Sequence, residues 1–373
     1  MKALKEIASV FFKLGLIAFG GPAAHIAMMD SEIVEKRKWL KREHFLDLIG
    51  ATNLIPGPNS TEMTMHCGYE RGGIAGLFVA GISFIFPAVV ITCTLAYFYV
   101  VYGDLPEVRP FIIGIKPAVI AIIAGTVFKL GKKALKNFEL GILLVIVVAV
   151  SLLPSTNEIA ILLAAGVIGA TYFSIRTKSK DSKAFFLPLI AGNGIGLKTI
   201  ATTSIFFKFL KVGSILYGSG YVLFAYLDAE LVQTGYMSSG ELMDAIAVGQ
   251  FTPGPVLSTA TFIGYQLGGF SGAMAATLGI FLPSFLFVLL LNPLIPFMRK
   301  SKYLSYFLDS VNVASVGIMT AVLFSFSIEA AQNWQSIVIS ALALFFTFGP
   351  YKVNVMLLVL GSSLLGFALF QIG

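Results

Sequence analysis

The chain has 373 residues, 57% of them apolar and only 12% charged, with a mean hydropathy of +0.88. A water-soluble domain of this length carries roughly a quarter of its residues charged to cover its surface, so a soluble globular protein is excluded. The net charge of +7 fits basic loops beside a membrane better than a nucleic-acid partner. Two cysteines, Cys67 and Cys93, in apolar surroundings exclude a disulfide framework and a zinc site. No cleaved leader is expected, because no basic stretch, short apolar core and small-residue cleavage site open the sequence.

In chain order, apolar runs long enough to cross a bilayer, which needs about 20 residues, are predicted near 7–29, 74–102, 110–130, 138–153 and 158–175. A second set follows near 198–227, 271–297, 304–329, 335–348 and 352–371. The two sets are related. Phe12-Lys13-Leu14-Gly15 and Phe19-Gly20 return as Leu210-Lys211-Val212-Gly213 and Tyr217-Gly218. Asp30 and Glu32 return as Asp228 and Glu230, and Asp47 as Asp244. Pro56-Gly57-Pro58 returns as Pro253-Gly254-Pro255, Gly68-Tyr69 as Gly264-Tyr265, Gly72-Gly73 as Gly268-Gly269, and Pro87 as Pro283. The order is kept throughout, which marks a duplication. The predicted organisation is a first repeat over 1–176, a basic cytoplasmic linker over 177–196 and a second repeat over 197–373.

Loop charge gives the relative orientation. Glu35 to Arg42 is strongly basic, whereas its counterpart from Asp228 to Glu241 holds no Lys or Arg. Conversely, 103–108 lacks Lys and Arg, while its counterpart holds Arg299, Lys300 and Lys302. Equivalent loops therefore fall on opposite sides by the positive-inside rule. The expected fold class is an all-α integral membrane protein of two inverted-topology repeats, a plan common among secondary transporters. Each repeat has about five transmembrane helices plus one hairpin, 44–68 or 240–265, that enters and leaves on the same face. Proline removes a backbone donor and blocks the preceding helical turn, so Pro-Gly-Pro breaks each hairpin at its centre. This scheme places the amino terminus outside despite Lys2 and Lys5, unless the first span itself breaks at Gly20-Gly21-Pro22.

The candidate substrate site follows from the two breaks. A helix restarting after proline leaves unpaired N–H groups and a partial positive charge, a site for an anion. The candidate contacts are Pro56, Gly57, Pro58, Asn59, Ser60 and Thr61 in one hairpin and Pro253, Gly254, Pro255, Ser258 and Thr259 in the other. Asn, Ser and Thr also serve as ordinary N-caps, but two symmetry-related cases favour a site. Lys13 and Lys211 occupy equivalent positions within spans and would balance a dianion. The alternative is that they snorkel to the interface, the reading preferred for Lys116. Gly20 and Gly21 would let backbone approach a ligand or a neighbouring helix. His25, Glu62 and His66 have no second-half counterpart and are the proton-coupling candidates, Glu62 and His66 lying one turn apart. No metalloprotease, nucleophile-elbow or nucleotide-binding motif is present. No enzyme activity, cofactor or metal is expected.

The segments Phe19-Gly20-Gly21-Pro22-Ala23-Ala24-His25-Ile26-Ala27 and Pro56-Gly57-Pro58-Asn59-Ser60-Thr61-Glu62-Met63, with Gly68-Tyr69 and Gly72 following, resemble signatures of the chromate ion transporter family. The resemblance spans essentially the whole chain and its long, two-domain form with antiparallel halves. It implies a multi-pass protein of the cell membrane that exports chromate, with sulfate as the next anion by shape and charge. Uptake or exchange of another anion, or an anion channel, is the alternative. The bilayer is the expected environment, a second copy of the chain a candidate partner, and nucleic acid is not expected as one. The second half departs from the signature: Asn59 to Glu62 become Val256 to Thr259, so the acidic function does not carry over there.

Overall fold

The computed structural model describes residues 2–19, 21–105, 107–153, 156–177, 201–217, 220–291, 301–331, 333–350 and 353–372. Among these, every regular element is helical. The predicted linker lies almost wholly outside the described residues, as do Gly20, Gly218, Ser219, Arg299 and Lys300.

Helix α1 (Lys2–Ile17) buries Ile7, Val10, Phe11, Leu14 and Gly15, a helical stripe at three- and four-residue spacing. The predicted first span is not continuous. Gly21, with φ +77°, opens α2 (Gly21–Met29), and Pro22 sits in the first turn of α2, where a missing N–H costs nothing. A π-turn (Asp30–Lys36) leads to α3 (Arg42–Thr52), the first Pro-Gly-Pro and α4 (Asn59–Tyr102). Then come α5 (Arg109–Ala134), α6 (Phe138–Ser151) and α7 (Glu158–Arg176). The second half repeats the order. Helix α8 (Thr202–Ile215) breaks before a 3-10 turn (Gly220–Val222) and α9 (Leu223–Leu227), and a π-turn (Asp228–Val232) again follows. Next are α10 (Ser239–Phe251), the second Pro-Gly-Pro, α11 (Thr259–Leu291), α12 (Lys302–Ala330), α13 (Trp334–Phe348) and α14 (Val355–Ile372).

The long helices α4 and α11 are each two arms. Gly72 and Gly73 leave helical geometry at φ −142° and +61°, and Gly268 and Gly269 do so at −154° and +60°. Across the first turn, a Cβ on Gly68 would come within 2.5 Å of the Ala80 Cβ. In a continuous helix those positions lie about 18 Å apart, so arm 59–71 folds back along arm 74–102. Gly264 and Ala276 repeat the contact at 2.6 Å. Helix α3 and arm 59–71 are roughly 16 and 20 Å long, too short to cross a hydrocarbon core of about 30 Å.

Packing exchanges partners between halves. Helix α5 packs against α13 and α14 of the second half, while α12, its counterpart, packs against α6 and α7 of the first. Helices α1 and α8 lie against α4 and α11 of their own halves, and α4 meets α11 between them. Five helices among the described residues are long and apolar enough to cross a membrane: those containing 59–102, 109–134, 158–176, 256–290 and 302–330. Helices α6, α13 and α14 are apolar but shorter. Outward residues such as Val145 (67% exposed), Ile168 (64%) and Leu278 (62%) are large and apolar, a surface that suits lipid and not water.

Gly15 and Gly213 let α1 and α8 pack closely against α4 and α11. A Cβ on either would come within 2.5 Å of a backbone carbonyl oxygen, that of Phe84 or Ile280. Gly15→Leu and Gly213→Leu are each expected to cost about 1–3 kcal/mol by overpacking and to lower the thermal midpoint of the detergent-solubilised protein. Leu16→Ala, on the exposed face of α1, is expected to leave it in place. A wild-type midpoint in both glycine variants would contradict this packing.

Candidate functional site

A Pro-Gly-Pro loop has one backbone donor, the glycine N–H, because proline has none. In each half that donor goes to the other half. The Gly57 N–H donates to the Leu216 carbonyl at 2.7 Å, and the Gly254 N–H donates to the Ala18 carbonyl at 2.9 Å. Ala18 and Leu216 are equivalent positions where α1 and α8 end, and such helix ends leave carbonyls without intrahelical donors. Each loop thus satisfies the broken helix of the opposite half. Gly57 at φ +142° and Gly254 at φ +89° take backbone shapes that a side chain resists.

Behind each loop a helix restarts at depth. Pro58 caps arm 59–71, and its carbonyl accepts from the Thr61 and Glu62 N–H groups at 2.8 and 3.0 Å. Pro255 accepts from the Ser258 N–H at 2.9 Å, opening a 3-10 turn (Val256–Ser258) before α11. The N–H groups of Asn59, Ser60, Val256 and Leu257 precede the first intrahelical bonds. The side chains that follow are buried: Ser60 is 2% exposed, and Thr61, Glu62, Ser258 and Thr259 are fully enclosed. Thr61 Oγ1, both Glu62 carboxyl oxygens, Ser258 Oγ and Ser284 Oγ have no protein hydrogen-bond partner among the described residues. Buried polar groups are normally paired, so this cluster is the most under-satisfied polar region around the loops. Glu62 and Ser284 converge on Gly57, where an added Cβ would meet the Ser284 Oγ at 2.6 Å and the Glu62 carboxyl carbon at 3.0 Å.

His25 ties the broken end of α1 to the restarted arm 59–71 within the first half. Its Nε2 donates to the Ala18 carbonyl at 3.1 Å, and its Nδ1 lies 3.2 Å from the Ser60 hydroxyl. With the proton on Nε2, the neutral ring accepts from Ser60 through Nδ1. His66, one turn beyond Glu62, is 1% exposed with an unpartnered Nε2. Asn59 turns aside and donates to Asn53 Oδ1 at 2.7 Å, and Thr259 bonds the Val256 carbonyl at 2.8 Å. Gly21 and Gly254 line a narrow cleft with Tyr221, Gln250 and Thr252, with ≈ 10 Å³ of space, room for about one water.

The structure does not bring the two lysines to these loops. Lys13 lies on the exposed face of α1 beside Phe12, Leu16, Ile17 and Ser83, opposite the buried stripe through Leu14 and Gly15. Lys211 is engaged by Glu230 Oε1 at 2.6 Å, and Lys208 approaches the same carboxylate at 3.6 Å. Two polar groups near the loops went unnoticed in the sequence: Ser284, directly after the repeated Pro283, and Gln250, three residues before Pro253. Their positions beside repeated prolines were the available signal.

Gly57→Ala and Gly254→Ala are expected to destabilise the protein by about 1–3 kcal/mol each, from forced positive φ and from contacts with Ser284 or with the Ala88 Cβ at 2.8 Å. Gly141→Ala, with open space at its Cβ, is the neutral control. Thermal midpoints in detergent test this, and equal midpoints for all three variants would contradict it.

The chromate transporter family profile matches residues 5–170 and 203–367. The chain is similar to a chromate transport protein of Cupriavidus metallidurans, 27% identical over 376 residues that cover 99% of this chain and 94% of that protein. A probable chromate transport protein of Synechococcus elongatus is 28% identical over 92% of this chain and 89% of its own length. A chromate transport protein of Pseudomonas aeruginosa is 28% identical over 96% and 91%. No solved structure matches the chain. Apolar helices with lipid-suited surfaces and a profile match over both halves lead to one conclusion: this is a membrane protein, and it belongs to the chromate transporter family.

Proposed function

We propose that the chain is a multi-pass secondary transporter of the cell membrane that exports chromate or a related tetrahedral dianion such as sulfate. The observation that carries this reading is the pair of reciprocal loop bonds, Gly57 to Leu216 and Gly254 to Ala18. They set two helix starts against each other beside buried hydroxyls that lack protein partners. The same exchange, together with the opposite charge of equivalent loops, supports two inverted repeats over 1–176 and 197–373. On this reading α3 with arm 59–71, and α10 with the first arm of α11, are re-entrant hairpins. Irregular backbone at membrane depth is tolerated where it is buried in protein or lines a cavity.

The proposed chamber lies between Pro56-Gly57-Pro58 and Pro253-Gly254-Pro255. First-turn N–H groups of Asn59 and Ser60, with the Thr61 and Ser258 hydroxyls, would bind oxyanion oxygens, and each helix start contributes about half a positive charge. Thr259 and the Asn59 side chain shape the walls through their backbone and Asn53 contacts. Gly21 keeps the rim narrow, and Gly20 lies outside the described residues. Lys13 and Lys211 act outside the chamber, one at the lipid face and the other within the Glu230 pair.

Glu62 supplies the coupling. A carboxylate beside a bound dianion in a low-dielectric site is strongly unfavourable, whereas a protonated carboxyl donates a hydrogen bond to it. Anion occupancy and protonation of Glu62 are then linked, with His66 one turn away and His25 on Ser60 as relay groups. Alternating access would follow from rocking of one repeat against the other. The closed cleft supports a carrier over a permanently open channel.

Purified protein in proteoliposomes is expected to show saturable, trans-stimulated counterflow of radiolabelled chromate and, more weakly, sulfate. Thr61→Val and Ser258→Ala are each expected to raise the apparent KM by roughly tenfold, the loss of one hydrogen bond to a charged ligand. Glu62→Gln is expected to retain exchange and lose its dependence on an imposed pH gradient. Lys13→Gln is expected to leave the KM unchanged. No flux of either oxyanion would overturn the substrate reading, and non-saturating flux would favour a channel.

A further inference from the structure

A second polar cluster lies earlier along the α10 hairpin. Asp244, on α10, is 4% exposed. Its Oδ2 accepts from the Tyr99 hydroxyl at 2.7 Å and faces the Lys116 Nζ at 3.9 Å. Its Oδ1 has no protein partner. Tyr99 and Lys116 belong to α4 and α5 of the first half, and Asp244 to the second. The three meet because α10 packs against both first-half helices.

The surrounding charge is unbalanced. Glu241, exposed and three residues before Asp244, and Glu329 on α12 lie close enough to act on its charge. Lys116 and Glu329 press on the same glycine: a Cβ on Gly240 would meet the Lys116 Nζ at 2.5 Å and the Glu329 Oε1 at 3.3 Å. The other elements packed on α10 bring Asp228 and Glu230 from the π-turn, Tyr226 from α9 and Tyr265 from α11, while α14 carries no titratable group. One lysine thus faces three carboxylates, Asp244, Glu241 and Glu329. A lone cation balances only one carboxylate, so the Tyr99 and Lys116 contacts carry the charge compensation at Asp244. Among the described residues no acidic, His or Cys side chains converge in a group able to hold a metal ion. A proton needs no such shell, only a free carboxyl oxygen, and Asp244 Oδ1 is one.

We propose that Asp244 Oδ1 is a proton-binding site, distinct from Glu62, whose occupancy depends on the relative position of the two halves. The proposal rests on the transport reading above. With α4, α5 and α10 arranged as here, the Tyr99 hydroxyl and Lys116 ammonium hold Asp244 as the carboxylate. When the halves rock and those contacts part, one proton from the aqueous phase binds Oδ1 and leaves Asp244 neutral. When the contacts reform, that proton returns to water. Glu241, at the surface end of the same helix, lies on the route between solvent and Asp244. Because α10 runs directly into Pro253-Gly254-Pro255, the state of Asp244 is transmitted to the second loop.

Two readouts test this. Infrared difference spectra of the purified protein between acidic and alkaline buffers are expected to contain a protonated-carboxyl C=O band that Asp244→Asn removes. Tyr99→Phe and Lys116→Gln are expected to displace the pH midpoint of that band. In proteoliposomes, Asp244→Asn is expected to retain chromate counterflow without a gradient and to lose accumulation driven by a proton gradient. The proposal is overturned if the band persists in Asp244→Asn, if neither partner variant moves its midpoint, or if Asp244→Asn accumulates chromate as the wild type does. A band that responds to replacing Na⁺ by choline and not to pH would also overturn it. If the wild-type protein moves no chromate, the substrate reading fails while the infrared arm still decides Asp244. Should Asp244→Asn not fold, Tyr99→Phe and Lys116→Gln carry the test.

Discussion

Two hydrogen bonds organise this molecule, from the Gly57 N–H to the Leu216 carbonyl and from the Gly254 N–H to the Ala18 carbonyl. A backbone donor or acceptor left bare in an apolar interior costs several kcal/mol. A Pro-Gly-Pro loop reduces that demand to one N–H, and a broken helix creates the matching surplus of carbonyls. Either irregularity alone would be a defect. Together, crosswise between the two halves, they close the account for both. Much else serves their alignment: Gly15 and Gly213 let α1 and α8 lie close to α4 and α11, and the Gly72-Gly73 and Gly268-Gly269 turns fold the restarted helices back.

The backbone plan is symmetric and its chemistry is not. The first loop is followed by Ser60, Thr61 and Glu62 and is tied to His25; the second is followed by Leu257, Ser258 and Thr259. Ser284 faces Gly57, while its counterpart Ala88 faces Gly254. The polar functional groups therefore collect around the first loop, and the second supplies mainly geometry and the Ser258 and Thr259 hydroxyls. Conversely, the buried Asp244 lies in the second hairpin and finds its partners in the first half. On the proposed transport reading, the anion-binding groups and the second carboxylate sit on different broken segments, which lets one motion of the halves couple two binding events.

Much of the backbone plan was legible because it rests on residues with strong local rules. Proline, glycine and their repeated spacing marked both broken helices, the loops and the duplication. What was not legible depended on distant partners. Gly72-Gly73 registered only as a repeated pair, since its left-handed turn is visible in dihedrals and in the Gly68–Ala80 contact, not in spacing. Lys13 drew attention by its repeat, yet helical periodicity sets it opposite Leu14 and Gly15. Lys116 read as a residue reaching for the interface, and its nearest acid lies 128 positions further along the chain. Ser284 is unremarkable until Gly57 is placed against it.

The exchanged packing has a consequence for how the chain is made. Helix α5 leaves the ribosome about 200 residues before its packing partners α13 and α14. Gly114 on α5 waits for the backbone of Gly366 to lie against it. The first half therefore inserts with an unfinished face, which lipid or the insertion machinery has to shield until the second half arrives. Native packing of this face waits for α13 and α14, and a product that stops before them lacks the surface that would complete it.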